Sequence, residues 1–359
     1  MTLPKPRKIQ IERYIEGLSQ FKKIDNLIKL SANESALGPS PRAIEAFERE
    51  KDKIFKYPES DSSSLRDIIS KKFDINSERI ICGAGSDQIF DLTCQLFIEP
   101  GDEVVVTEYG FIMHRIYASL YGAKVLLAKE KNFKASVDEI LKKVTDKTKI
   151  VFIANPNNPT ATYLSKNEML NLRQKLRNDI LLVVDDAYFE FLDKDDFTSG
   201  LDLFKDEANV LITRTFSKIY GLAGLRLGWG YSSKEIIDIM YQIKPPFNVN
   251  RAALCSGIEA IRDNEWIKRA IEHNTLWSKK IFSVLKECNI QTNEPTTNFF
   301  LMNFDETKIN SDEAFEKLAD NRLLLRKMMQ YKIPNALRLT IGNKKSNELF
   351  VECIRSIFK

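Results

Sequence analysis

Histidine is almost missing from this chain: His114 and His273 are the only two in 359 residues, and they lie far apart. Their separation argues against a zinc site built on paired histidines and against a catalytic triad resting on either one. The five cysteines (Cys82, Cys94, Cys255, Cys288, Cys353) are scattered and form no Cys-x-x-Cys pair. They read as small buried hydrophobes in a reducing compartment, not as a disulfide framework. No run of 18 or more apolar residues occurs, which excludes an obvious transmembrane helix. The basic N-terminus, Met1 to Lys8, is not followed by an apolar signal core, so the expected compartment is the cytoplasm. Charge of one sign is lacking too. Lys plus Arg number 54 against 50 for Asp plus Glu, which leaves no electrostatic footprint for nucleic acid but remains compatible with a local cationic pocket for a small anion.

What is present is the composition of a globular enzyme, 43% hydrophobic and 29% charged, at a length that suggests two or three structural units. β-Branched runs read as strands at 80–82, 103–107, 124–128, 149–154, 180–185 and 209–213, with a further candidate at 228–231. Amphipathic stretches such as 136–144 and 165–177 lie between several of them. Continuously apolar strands separated by helices predict an α/β fold with a mostly parallel sheet covered on both faces. After about residue 250 the pattern changes to a long helical region (252–288), short strand candidates at 298–303 and 336–341, and a terminal helix from about Ser346. The expected organisation is an N-terminal arm (1–29) without strand periodicity, a large domain (30–250) and a smaller C-terminal α+β domain (251–359).

Ligands of open α/β sheets gather where strands end in loops at their carboxyl edge. Four such places carry chemistry-bearing residues. Gly83-Ala84-Gly85-Ser86-Asp87 follows a strand and opens a helical run; small residues admit an anion to the free N–H groups of a helix start. Asn155-Pro156-Asn157-Asn158-Pro159-Thr160 is a proline-fixed turn whose asparagines can donate to a ligand oxygen. Asp185 ends the run LLVVD and is followed by Tyr188; it is either a helix cap or the counter-ion of a buried cation. The fourth is Thr213-Arg214-Thr215-Phe216-Ser217-Lys218, with Arg226 eight residues beyond the lysine. Hydroxyls and a guanidinium suit a phosphate, and a neighbouring cation helps lower a lysine pKa for imine formation.

Taken in this order, Gly85-Ser86-Asp87, Asn158-Pro-Thr, Asp185-x-Ala-Tyr188 and Ser217-Lys218-x7-Arg226 resemble the fold-type I, class II aminotransferases that use pyridoxal 5′-phosphate (PLP). Tyr14-Ile15-Glu16-Gly17, Asn33-Glu34, Tyr57-Pro58, Leu325-Arg326 and Leu337-Arg338-Leu339-Thr340-Ile341-Gly342 extend the likeness to the histidinol-phosphate aminotransferase branch. The resemblance implies that Lys218 carries PLP as a Schiff base, that Asp185 pairs with the pyridine nitrogen, and that Asn158 and Tyr188 hydrogen-bond the 3′-oxygen. It implies that Gly85, Ser86, Asp87, Thr215, Ser217 and Arg226 surround the cofactor phosphate and that Phe111 stacks on the ring. Tyr57 would reach the phosphate of a neighbouring subunit, making a homodimer with shared active sites.

Arg338 and Arg326 would bind the substrate's anionic group, with Tyr14, Asn33 and His114 near the substrate. The implied reaction is transamination of L-histidinol phosphate with 2-oxoglutarate, giving imidazole-acetol phosphate and glutamate in histidine biosynthesis, by ping-pong kinetics and without a metal. An aromatic amino-acid aminotransferase is the nearest alternative, and a PLP-dependent decarboxylase of an amino-acid phosphate a further one. A PLP-sensing transcription regulator would need a DNA-binding domain that the residues before the main fold do not supply. Three positions depart from the pattern: Ala161 stands for the usual glycine after Asn-Pro-Thr, His114 for a frequent tyrosine, and Ser35 for an asparagine.

Overall fold

The computed structural model describes residue 4, residues 11–22 and residues 24–358; most of the first ten residues of the expected arm lie outside them. Among the described residues there are twelve strands: β1 (Ile28–Lys29), β2 (Ile80–Gly83), β3 (Glu103–Thr107), β4 (Lys124–Ala128), β5 (Thr148–Ala154), β6 (Leu181–Asp185), β7 (Val210–Thr215), β8 (Gly228–Tyr231), β9 (Phe299–Asn303), β10 (Leu323–Leu324), β11 (Arg326–Lys327) and β12 (Ala336–Thr340). Seven of them build one sheet in the order β2-β8-β7-β6-β5-β3-β4. Only β8 runs against its neighbours. The mostly parallel α/β architecture expected from the apolar runs is therefore present.

Burial explains the pattern of those runs. β3, β6 and β7 are buried along their whole length, as strands covered on both faces must be. Edge strand β4 is only partly covered and leaves Leu127 38% exposed. One apolar cluster, with Leu65, Ile153, Leu182 and Trp229, packs on one face of the sheet; another, with Phe90, Val104, Phe152 and Leu211, packs on the other. A third cluster holds together the C-terminal elements around the antiparallel sheet β11-β12-β9 and includes Ile281, Phe300, Phe315, Leu339 and Phe350.

Several elements differ from the sequence expectations. The long helical region is two helices, Arg251–Arg262 and Asn264–Glu287, broken at Asp263. Asp263 leaves helical geometry and its carboxylate accepts from Trp266 N–H, so one residue ends one helix and caps the next. The helix expected over 136–144 is only Val137–Leu141. Within the arm, Ile28–Lys29 does form a strand, pairing in parallel with Leu323–Leu324. Two residues are too short to show a period, and the pairing depends on a partner almost 300 residues away.

The turn after β5 settles what Ala161 faces. Its φ is 54°, in the left-handed region that glycine adopts freely and alanine does not. Two contacts hold it there: Ala161 N–H donates to the Asn157 carbonyl at 3.0 Å, and Thr296 Oγ1 donates to the Ala161 carbonyl at 2.6 Å. Asn293 Nδ2 reaches the adjacent Thr160 carbonyl at 3.0 Å. Ala161→Gly relieves backbone strain at the cost of a floppier unfolded chain, so the net stabilisation should be small, about 0–1 kcal/mol. Urea unfolding at unchanged m-value measures it; a loss above about 1 kcal/mol would show that the alanine methyl is needed for packing.

Candidate active site

The carboxyl ends of β2, β3, β5, β6 and β7 deliver Ser86–Asp87, Phe111, Asn158, Asp185 and Thr215–Lys218 to one cavity of about 410 Å³. The C-terminal sheet closes it with Arg326 and Arg338, and the N-terminal segment adds Tyr14 and Asn33. Of the sequence-predicted residues, Gly85, Tyr57 and His114 do not line it. The lining residues not singled out from sequence include Lys29, whose amine lies 3.2 Å from the Glu34 carboxylate, and Tyr331. Glu34 belongs to the Asn33-Glu34 motif, whereas Lys29 and Tyr331 belong to no motif.

One end of the cavity is built for an anion. The helix Ser86–Phe97 points its first N–H groups there, and the hydroxyls of Thr215 and Ser217 face the same space. Arg226 completes the set: its Nη2 lies 3.0 Å from Asp87 Oδ2 and its Nη1 3.4 Å from Ser217 Oγ. Glycine suits position 85 because its φ of 83° is a conformation that side chains rarely adopt, and a Cβ there would also crowd Arg226 Nη2 at 2.4 Å. Gly228 keeps the loop close from behind; its Cβ would meet Ser86 N at 2.4 Å.

The centre is built for a cationic ring and a reactive amine. Asp185 is 4% exposed; its Oδ1 accepts from Thr213 Oγ1 at 3.2 Å, and its Oδ2 lies 3.6 Å from His114 Nε2. His114 was expected beside the substrate. It is instead buried behind Asp185, stacked on Phe152 at 4.8 Å and set edge-on to Phe90 and Phe111. Its place three residues after Phe111, on the helix Ile112–Leu120, turns it toward the sheet and away from the cavity. Tyr188 is buried, which pushes its phenol up to about 12, and its hydroxyl accepts from Asn33 Nδ2 at 3.0 Å. Asn33 is itself held by Thr340 and by Asn298, whose Nδ2 donates to its carbonyl, so its side chain orients Tyr188.

Lys218 Nζ sits 5.6 Å from the Tyr188 ring and 3.5 Å from the Ala32 carbonyl, with no carboxylate partner among the described residues. Burial, reinforced by the Arg338 charge, pulls its pKa down to about 8.

The far wall carries two guanidinium groups side by side. Arg326 and Arg338 are directly paired across β11 and β12 and are 6% and 3% exposed. Arg338 donates to Asn158 Oδ1 at 2.6 Å and to the Ser31 carbonyl at 2.9 Å, and its Nε has no partner. Arg326 donates to the Ile15 carbonyl at 2.7 Å and lies 3.5 Å from Tyr14 Oη. Among the described residues neither arginine forms an ion pair. Burial, with Arg326 adding to it, pulls the Arg338 pKa down.

A lysine held near neutrality, a buried carboxylate, an anion cradle and a pair of arginines on one sheet edge define a fold-type I α/β transferase, and the chain belongs to the class I and II aminotransferase family. The family model described as "Aminotransferase class I and II" matches residues 25–354. Among curated relatives, the histidinol-phosphate aminotransferase of Pelagibacter ubique is 53% identical over 359 residues and all of both chains. That of Maricaulis maris is 39% identical over 99% of each chain. Among solved structures, the histidinol-phosphate aminotransferase of Sinorhizobium meliloti, in complex with pyridoxal-5′-phosphate, superposes with a TM-score of 0.84 at 21% identity, covering 94% of this chain and 99% of that one. The aromatic aminotransferase of Pyrococcus horikoshii superposes with a TM-score of 0.82 at 20% identity over 93% and 96%.

The depressed lysine pKa has a direct consequence. In the cofactor-free protein, Lys218 should react with an amine-selective acylating reagent with a midpoint near pH 8, below the roughly 10.4 of ordinary lysines. The folded state holds this proton less tightly than the unfolded one. Its contribution therefore disfavours folding below pH 8, and that penalty is removed as pH rises from 8 to 10.5. Peptide mapping of the labelled sites reads the midpoint; one at 10 or above would contradict the site's electrostatics.

Proposed function

We propose that this protein is a PLP-dependent aminotransferase that exchanges the amino group of L-histidinol phosphate with 2-oxoglutarate in histidine biosynthesis. The observation that carries the reading is the unpaired Arg326–Arg338 couple facing the near-neutral Lys218 across one cavity. Complementary guanidinium donors suit the phosphate of one substrate and the carboxylate of the other, so one wall serves both half-reactions. The curated relatives' shared name favours histidinol phosphate as the amine.

The residues present fit PLP. The Ser86 helix start, Thr215, Ser217 and Arg226 would hold its phosphate, with Gly85 and Asp87 shaping the cradle. Asp185 would pair with the pyridine nitrogen, Asn158 and Tyr188 would hold the 3′-oxygen, and Phe111 would cover the ring. When bound, the cofactor supplies an electrophilic carbonyl and an electron sink for the pair left at the substrate's α-carbon. Lys218 anchors it and, as a free amine poised near neutrality, takes the proton from that α-carbon. Tyr188, kept neutral by burial, can remain a hydrogen-bond donor. Tyr14 and Arg326 hold each other at the mouth over the substrate's anionic end. Buried His114 would steady Asp185, without touching the substrate.

We further infer a homodimer and an arm, large domain and small domain bounded at 29/30 and 250/251, working in the cytoplasm. Tyr57 is 78% exposed, stacked on Phe247 at 4.5 Å and flanked by Ile54 and Phe55, exposed 82% and 79%. An exposed aromatic patch of this kind supports association with a second copy, whose phosphate cradle Tyr57 would complete. Among the described residues, no helix is long and apolar enough to cross a membrane.

A substrate panel on the PLP-loaded protein with 2-oxoglutarate tests the assignment. kcat/KM for histidinol phosphate should exceed that for phenylalanine by about a hundredfold or more. Arg338→Leu should lower kcat/KM for both histidinol phosphate and glutamate by at least about a hundredfold. A preference for phenylalanine would make the protein an aromatic aminotransferase, and carbon dioxide release without keto-acid dependence would make it a decarboxylase.

A further inference from the structure

The strand ends that hold the site have a second, buried side. Side chains alternate along a strand, so Thr213 and Thr215 face the cavity side of β7 and Arg214 faces the rear. Asp185 and Asp186 divide in the same way: Asp185 lines the cavity, and Asp186 does not. On the front, Thr213 Oγ1 donates to Asp185. On the rear, Arg214 Nη2 lies 3.6 Å from Asp186 Oδ2 and donates to Ser199 Oγ at 3.0 Å. The two residues are 3% and 1% exposed.

The pair is more than packing. Asp186 accepts from the Gly200 and Leu201 N–H groups at 3.0 and 3.2 Å, and its own N–H donates to the Thr213 carbonyl at 2.9 Å. It thereby joins β6, β7 and the segment at 200 at the point where Asp185 leaves the sheet. The Arg214 guanidinium is 3.6 Å from the Phe189 ring centroid and 4.5 Å from that of Phe73, with Trp229 beyond at 5.6 Å. Its Nε and Nη1 have no hydrogen-bond partner. Glu190, the other acid near it, is pushed up to about 8 by burial, so at neutral pH it is mainly protonated. Asp186, raised to about 6 by burial against the opposing pull of Arg214, is mainly ionised. Asp186 is therefore the principal countercharge of this arginine, and it also feels Asp185 through the strand end.

We propose that Asp186 and Arg214 are positioning residues of the active site, which set from the rear of the sheet both the placement of Asp185 and the electrostatic potential at the cofactor ring. This rests on the reading that Asp185 pairs with the pyridine nitrogen. An isolated Arg214 cation would oppose protonation of the bound cofactor. A neutral pair would remove that charge but leave the strand ends less firmly tied.

The test is a spectrophotometric pH titration of the bound cofactor, with the PLP dissociation constant and the apo-protein Tm measured alongside. Asp186→Asn should lower the midpoint of the cofactor's visible absorbance by about one pH unit, the order expected when one buried charge near a titrating group is left uncompensated. It should also weaken PLP binding about tenfold, as loss of a group that orients a ligand-contacting residue does. The double variant Asp186→Asn/Arg214→Met, which leaves no lone buried charge, should restore the midpoint and keep the weakened binding. Parent-like midpoint and affinity in Asp186→Asn, whatever its Tm, would overturn the proposal. If that variant does not fold, parent-like PLP affinity in the double variant would overturn it. Asp185→Asn is the control: unchanged PLP binding there would count against the cofactor reading itself, and not against the rear pair.

Discussion

Burying cations without carboxylate partners is the constraint on which this structure turns. Lys218, Arg326 and Arg338 line one cavity, and among the described residues none has an acid within ion-pair distance. Such an arrangement is costly in an isolated protein. It is sustained by backbone carbonyls and amides: Ala32 for the lysine, Ser31 and Asn158 for Arg338, Ile15 for Arg326. Those partners come from the N-terminal segment and the turn after β5, whereas the two arginines come from the C-terminal sheet. The charge problem is thus also what draws distant pieces of chain to one place. Anionic ligands relieve it, and a lysine pulled to about 8 is the chemically useful by-product.

Much of the fold was legible because burial on both faces leaves a simple mark. β6 is an apolar run that ends on Asp185, and the valine run of β3 leads through a short turn to Phe111. The order of Gly85, Asn158, Asp185 and Lys218 along the chain then follows from successive strands delivering one residue group each. What was not legible depends on direction or on distant pairing. His114 looked like a substrate contact, but the helix turns it inward against Phe152 and Asp185. β1 exists only because Leu323–Leu324 lies beside it. Tyr331 belongs to no pattern, and the break at Asp263 was marked only by an aspartate that can cap a helix. Ala161 stands where glycine is usual and takes a positive φ, but its support by Thr296 comes from 135 residues away.

The fold alone does not choose a substrate. Structures of a histidinol-phosphate aminotransferase and of an aromatic aminotransferase superpose on this chain almost equally well, with TM-scores of 0.84 and 0.82. What separates the two readings is the shared name of the relatives that are 53% and 39% identical over 100% and 99% of this chain. Tyr14, Lys29 and Glu34 add polar groups to the cavity that the two arginines line.

The proposed reaction depends on one lysine, Lys218. Reducing the PLP-loaded protein with borohydride and mapping its peptides by mass spectrometry tests that dependence most directly. The account predicts a single stoichiometric pyridoxyl adduct on Lys218. An adduct on any other lysine, or none on a protein that retains transaminase activity, would contradict it.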